Sequence, residues 1–125
     1  MRNGFLAATL LLAAGVAWAA IDLDEFVMET IDAASKSLAS NIAQQDVEAA
    51  GADAHTLDTL FVEVETYFVQ RGDAPDGVDM ARKSRALIAS VAQAVAAKDF
   101  DSAANTASEL SRNCKSCHRA YKKDE

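Results

Sequence analysis

Both cysteines of this 125-residue chain lie near its C-terminus, in the stretch Cys114-Lys115-Ser116-Cys117-His118. Residues three apart on a helix share one face, so the two thiols can reach the two vinyl groups along one porphyrin edge. The imidazole of His118, next in the chain, can then act as the proximal ligand of the iron. C-x-x-C-H is the attachment pattern of c-type haem. It predicts one covalently bound haem c, with Cys114 and Cys117 as its thioether residues.

Three other uses of the cysteine pair agree less well with the sequence. A redox-active C-x-x-C pair lies at a helix N-terminus, where the dipole lowers a thiol pKa, whereas this pair lies near the end of a predicted helix. A zinc site takes four protein ligands, and beyond the three residues of the motif only His55 supplies another donor of the usual kind. A disulfide within the pair would close a very short loop.

The first 19 residues have the pattern of a secretory signal peptide. Arg2 precedes an apolar run from Phe5 to Val16, and Ala17-Trp18-Ala19 supplies a site at which we expect cleavage. A retained membrane anchor is the alternative, but the run is shorter than the roughly 20 residues that a span requires. Residues 20–125 then form one small exported domain, which we expect in the periplasm.

Acidic residues outnumber basic ones. The chain has 19 Asp and Glu against 12 Lys and Arg, a formal charge of −7. Cleavage of the signal peptide removes only Arg2, which leaves 11 basic against 19 acidic residues and a charge of −8. Because nucleic-acid affinity comes mainly from Lys and Arg on phosphates, this balance disfavours a nucleic-acid partner. The side chains form no catalytic constellation, so no enzymatic activity is predicted.

Apolar residues recur at intervals of three and four, which predicts four amphipathic helices. Asp22 is the expected cap of the first helix and Asp76 that of the third, and 71–77 is the one clear loop. The cysteines fall on the apolar stripe of the fourth helix. The predicted helices cover approximately residues 22–44, 46–70 and 77–98, and the fourth starts near residue 99 or 101.

Four helices joined by short connections favour an all-α fold, an antiparallel up-down-up-down four-helix bundle that encloses one covalently bound haem. In such a bundle the end of the fourth helix lies level with the start of the first, the end of the second and the start of the third. At about 1.5 Å per residue, His118 lies about 8 Å inside that end of the bundle, Met28 about 9 Å and Met80 about 6 Å. His55 lies about 22 Å away, and its polar neighbours predict a solvated surface histidine.

Met28 is the candidate distal iron ligand, because it shares the inward face of the first helix with Ile31 and Leu38. Plain core packing is its alternative role, since methionine often fills gaps in a core. Met80 is expected to line the pocket without ligating. Around the porphyrin we also expect Phe26, Val27, Ile31, Tyr67, Phe68 and Tyr121. The cations beside the motif, Lys115, Arg119 and Lys122, either offset the haem propionates or form a solvated basic face.

The export signal, the four amphipathic helices and the C-x-x-C-H-x-x-Y of residues 114–121 resemble the cytochrome c′ family, including its low-spin relatives with a methionine on the first helix. The resemblance covers the whole mature chain in architecture and residues 114–121 in motif. It implies an exported haem c protein, often a homodimer through the first two helices. It also implies that Met28 occupies the region from which the low-spin relatives donate a thioether.

One departure from that family bears on function. Many high-spin members carry an arginine four residues before the distal position, where this chain has Asp24, and this difference weakens the transfer of their gas-binding role. A filled sixth position favours electron transfer and an open one favours small gases. We therefore expect a monohaem cytochrome with His118/Met28 ligation that passes electrons between redox partner proteins. The alternative is a five-coordinate cytochrome c′-like protein that binds nitric oxide or carbon monoxide.

Overall fold

The computed structural model describes residues 25–121, which form four α-helices and contain no strand. The helices are α1 (Glu25–Ala43), α2 (Val47–Arg71), α3 (Pro75–Ala96) and α4 (Phe100–Tyr121). The predicted all-α class and the four-helix bundle are confirmed. The predictions of a signal peptide in residues 1–19 and of a cap at Asp22 lie outside the described residues, as do Asp24 and Lys122.

Side chains at the helix ends explain two of the predicted boundaries. Asp46 precedes α2, and its carboxylate accepts a hydrogen bond from the backbone N–H of Ala49 at 3.0 Å. Asp99 precedes α4, and its carboxylate accepts from the N–H of Ser102 at 3.2 Å. Such contacts satisfy backbone donors that have no partner within the helix. Gly72 ends α2 in the left-handed conformation, with φ of 76°, where glycine has no steric cost.

The third helix begins earlier than predicted, and Asp76 is not its cap. Helix α3 starts at Pro75, Ala74 occupies the cap position, and no side chain caps the helix there. Proline suits the first turn because its fixed φ is helical and its missing N–H would have had no partner. Asp76 lies in that first turn, where its carboxylate interacts favourably with the positive end of the helix dipole. The loop is therefore only residues 72–74.

Each helix turns one stripe of small and apolar side chains toward a common core. The spacing of apolar residues predicts six inward positions in each of α2 and α3. In α2 all six are buried, namely Ala50, Ala54, Leu57, Phe61, Val64 and Phe68. In α3 five of the six are buried, namely Ala81, Ser84, Ile88, Val91 and Val95, and Val78 is half-buried. The stripes of α1 and α4 are less completely covered, because these two helices face each other across a cavity. The buried residues are Ile31, Leu38 and Ile42 on α1, and Ala103, Leu110 and the polar Asn113 on α4.

Helices that follow one another in the chain pack together, and α4 also packs against α1, which closes the bundle. Of these four helix–helix contacts, the one between α1 and α4 is the smallest. On the other side, Arg85 of α3 forms ion pairs with Asp58 and Glu65 of α2, each at 3.0 Å. Arg82 also pairs with Glu65, at 2.8 Å. Within residues 25–121, no helix is long and apolar enough to cross a membrane.

Candidate haem-binding site

A cavity of about 660 Å³ lies between α1 and α4. Its volume falls within the range of small-molecule sites, about 300–1,000 Å³. Most of the wall comes from α1 and α4, and side chains of α2 and α3 complete it. Apolar members of that wall include Ile31, Leu38, Ile42, Phe61, Val64, Phe100 and Leu110.

The three residues of the C-x-x-C-H motif lie on the α4 wall of this cavity. Cys114 and Cys117 are half-buried free thiols, and His118 is exposed at the cavity rim. The predicted periodicity explains their placement, because Leu110 is buried on the same face and the cysteines follow it four and seven residues later. The helix therefore presents both thiols toward the interior and the imidazole toward the opening.

Burial controls the electrostatics of the two thiols. It raises the pKa of Cys114, which the neighbouring Cys117 and the carboxylate of Asp32 raise further. Burial also raises the pKa of the Cys117 thiol. Catalytic redox cysteines have lowered pKa values that favour the thiolate, so this environment is unlike theirs. It leaves both groups as neutral thiols in the polypeptide.

Two methionines also line the cavity. Met28 lies on α1, across the cavity from the α4 wall, and Met80 lies on α3. Both side chains are half-buried. The structure thus brings the candidate distal ligand Met28 to the same cavity as His118, and it gives Met80 the lining position that the sequence predicts.

A buried polar contact behind the motif was missed by the sequence reasoning. Asn113 is 8% exposed, and its side-chain amide donates to the backbone carbonyl of Met80 at 2.9 Å and to Ser84 Oγ at 2.7 Å. Ser84 Oγ itself donates to the Met80 carbonyl at 3.0 Å. These bonds join α4, next to Cys114, to the part of α3 that lines the cavity. The only sequence signal was a serine on the apolar stripe of the third helix.

Several residues expected around the porphyrin lie elsewhere. Phe26 is 70% exposed, so its expected place in the pocket is wrong. Tyr121 instead packs on Phe68, with ring centroids 4.8 Å apart, and Tyr67 meets Phe68 edge-on at 5.1 Å. This aromatic cluster, completed by Arg71 over the Tyr121 ring, is not part of the cavity wall. Of the expected set, Ile31 lines the cavity.

The remaining ionisable candidates are outside the cavity. His55 is exposed and lines a shallow groove between α2 and α3, which confirms its prediction as a surface histidine. Lys115 and Arg119 are also exposed and are not cavity-wall residues. In the part of the chain that the structure describes, no group of three or more His, Cys, Asp or Glu side chains could hold a metal ion.

No protein-family model, curated protein or solved structure matches this chain. Its function is therefore inferred from the motif and the cavity. Their chemistry fits a haem c: two thiols three residues apart, an imidazole on the same wall and a thioether across the cavity. The apolar lining fits the body of a porphyrin, which an aqueous cleft would not stabilise.

Proposed function

We propose that the chain is an exported monohaem c-type cytochrome that acts in electron transfer. The observation that carries the proposal is the shared cavity, to which α4 brings Cys114, Cys117 and His118 and α1 brings Met28. Haem c, when bound, supplies a one-electron iron couple whose potential depends on its axial ligands and on burial. We do not propose an enzymatic activity.

In this proposal each residue at the cavity has a defined role. Cys114 and Cys117 would hold the haem through two thioether bonds, and His118 would supply a nitrogen ligand to the iron. Met28 would supply a thioether sulfur ligand in place of water or a gas. The buried side chains Leu38 and Leu110 keep water from the interior of the cavity.

The antiparallel arrangement of the bundle belongs to the same proposal, and side-chain contacts support it. Phe68, near the end of α2, lies against Gly77, near the start of α3. Asp58, earlier in α2, pairs with Arg85, later in α3. Contact partners therefore move in opposite directions along these two helices. Asn113, late in α4, donates a hydrogen bond to Met80, early in α3, which is the contact expected if these two helices are also antiparallel.

We also propose export to the periplasm and a homodimer through α1 and α2. Export rests on the signal pattern of residues 1–19. The dimer is supported by the exposed large apolar side chains of the described residues, namely Phe26 on α1 and Val62 and Val69 on α2. Sedimentation of the mature protein as a monomer at micromolar concentration would exclude the dimer.

Replacement of the two cavity methionines tests the axial ligation. The reduced wild-type protein is expected to show sharp low-spin absorption bands and no rapid binding of carbon monoxide. Met28→Ala is expected to lose those bands and to bind carbon monoxide, because the variant opens the sixth position. The matched control, Met80→Ala, removes a thioether from the α3 wall and is expected to keep the low-spin bands.

An unchanged spectrum for Met28→Ala would show that Met28 is not a ligand. Rapid carbon monoxide binding by the wild type would favour the alternative, a five-coordinate cytochrome c′-like protein that binds small gases. In that case Met28 would only pack near the open face of the iron.

A further inference from the structure

Charges are segregated along α4. Its first half, with the residue that caps it, contains the acids Asp99, Asp101 and Glu109 and no Lys or Arg. The second half contains Arg112, Lys115 and Arg119 and no acid. In a chain with a net charge of −7, this is a local excess of positive charge.

The three cations form one exposed surface, which we name the basic face of α4. Their spacing of three and four residues places them on one side of the helix. All three are exposed, and none forms an ion pair with another described residue. Of the other described cations, Lys36, Arg71, Arg82 and Arg85 are each paired with a carboxylate, whereas Lys83 and Lys98 have no ion pair with a described residue but lie outside α4.

Helix stabilisation does not account for this surface. A cation interacts favourably with the helix dipole within the last turn, and α4 ends at Tyr121. Arg119 lies in that turn, but Lys115 and Arg112 lie six and nine residues before the end of the helix. Their unpaired charges are therefore available to a partner.

The basic face lies on the half of α4 that carries the motif, on the outer side of the helix, opposite the two cysteines. Lys115 follows Cys114 directly and lies on the same turn as His118, which is exposed at the rim of the cavity. Across the cavity, Lys36 is already paired with Asp32 at 2.7 Å, so that rim presents an ion pair. The unpaired positive charge near the motif is on α4.

We propose that the basic face of α4 docks the acidic surface of a redox partner protein, one rich in Asp and Glu. The inference rests on the proposed electron-transfer function and names the class of partner. Complementary charge raises the rate of encounter and orients the partner. Docking here brings the partner against the outer side of the helical turns that carry both cysteines and His118.

The net negative charge of the molecule predicts the opposite preference, for a cationic partner. A uniformly acidic protein would attract cationic partners and repel anionic ones. The sign of the ionic-strength effect therefore distinguishes a local docking surface from the charge of the whole molecule.

The test measures oxidation of the reduced holoprotein by hexacyanoferrate(III), a compact anion, in stopped-flow experiments. One electron passes from the protein to the oxidant, which becomes hexacyanoferrate(II). We expect the second-order rate constant to fall as the ionic strength rises from 10 to 200 mM, because salt screens the attraction. A rate constant that rises with ionic strength would overturn the proposal, since repulsion by the net charge would then control the encounter.

A matched pair of variants locates the effect. Lys115→Gln is expected to lower the rate constant about three- to fivefold at about 10 mM ionic strength, where a charge about 10 Å from a trivalent anion is weakly screened. Lys98→Gln makes the same change in net charge just before the start of α4 and is expected to lower it less than about 1.5-fold. Equal effects of the two variants would overturn the basic face as the docking site.

Two further outcomes separate this inference from its premise. A purified protein without a visible haem spectrum would overturn the proposed function and the docking inference with it. A normal spectrum with equal effects of Lys115→Gln and Lys98→Gln would overturn the docking inference alone. Cosedimentation with phosphatidylserine vesicles that Lys115→Gln abolishes would also overturn it, because the partner would then be an anionic lipid surface.

Discussion

At the scale of single residues, Asn113 connects the proposed haem-attachment segment to the rest of the bundle. Its amide donates to the Met80 carbonyl and to Ser84 Oγ from a position directly before Cys114. Asn113 and Ser84 are the buried polar residues of the described chain. A polar pair with directional bonds fixes the rotation of α4 against α3 more strictly than apolar packing does. Asn113 thus helps to hold the cysteines toward the cavity.

Asn113→Ala is expected to lower the free energy of unfolding by about 1–3 kcal/mol, because it removes two hydrogen bonds in a buried setting. Urea denaturation followed by circular dichroism measures the change. The control, Asn105→Ala, removes the same side chain from an exposed position on α4 and is expected to change stability by less than about 0.5 kcal/mol. Equal effects of the two substitutions would contradict the structural role of Asn113.

The residues of the site differ in how far the sequence could predict them. Spacing alone identified Cys114, Cys117 and His118, since a helix of known pitch places them on neighbouring positions. The expected distance of each residue from the end of the bundle, together with its place on the inward face of a helix, identified Met28 and Met80 as cavity residues. Asn113 could not be found in this way, because its partner on α3 is 29 residues away. Phe26 was misplaced because it precedes the covered part of α1, where periodicity no longer implies burial.

At the scale of helices, the close packing of α3 against α2 depends on a glycine, Gly77. Gly77 in the first turns of α3 lies directly against the buried ring of Phe68, so an added Cβ would overlap that ring. Gly51 in α2 has no neighbouring atom within 4 Å of an added Cβ. The two glycines therefore respond to the same substitution in opposite ways.

Gly77→Ala is expected to destabilise the protein by about 1–3 kcal/mol, because the core must shift to accept the methyl group. Gly51→Ala is expected to stabilise it by about 0.5–1 kcal/mol, because alanine loses less backbone entropy in a helix. Thermal unfolding of both variants checks the two signs. Stabilisation by Gly77→Ala would show that α2 and α3 do not approach as described.

The ion pairs between α2 and α3 predict a dependence of stability on pH. Hydrogen bonds from Arg82 and Arg85 lower the pKa of Glu65. A carboxyl group with a lowered folded-state pKa stabilises the protein above its unfolded pKa, about 4.3, and this contribution is lost as the pH falls through the folded-state value. Glu65 therefore contributes to acid sensitivity below about pH 5.

Glu65→Gln is expected to flatten the decrease in the free energy of unfolding between about pH 5 and pH 2, since the variant has no carboxylate to protonate. Urea denaturation at a series of pH values measures the slope. Glu63→Gln serves as the control, because Glu63 is exposed and forms no ion pair with a described residue. A slope for Glu65→Gln that matches the wild type would exclude this contribution.

Helix positions were largely predictable because burial follows a simple period, and the exceptions have physical causes. The stripe of α2 was predicted in full, since α2 packs between two neighbours along its whole length. The start of α3 was misplaced because an aspartate before an apolar stripe resembles a cap. Pro75 begins the helix without one. Nothing in the local sequence shows that Ala74 would be buried.

At the scale of the whole molecule, the bundle leaves a gap where α1 meets α4. The sequence predicted four helices and a common core, but the gap itself is lined by small side chains of both helices, among them Ala39, Ala104 and Ala107. Its volume could not be derived from periodicity. The segregation of charge on α4 was visible in the sequence, whereas the fold was required to show that the helix which carries these cations also lines the cavity.

The attachment of one haem through Cys114 and Cys117 is measured by the mass of the purified, denatured protein. We expect the mass of residues 20–125 plus one haem, which remains attached when the chain is unfolded. Replacement of both cysteines by serine is expected to yield the mass of the polypeptide alone. Detection of the unmodified polypeptide mass in the wild-type protein, expressed with a functional haem-attachment pathway, would contradict the account.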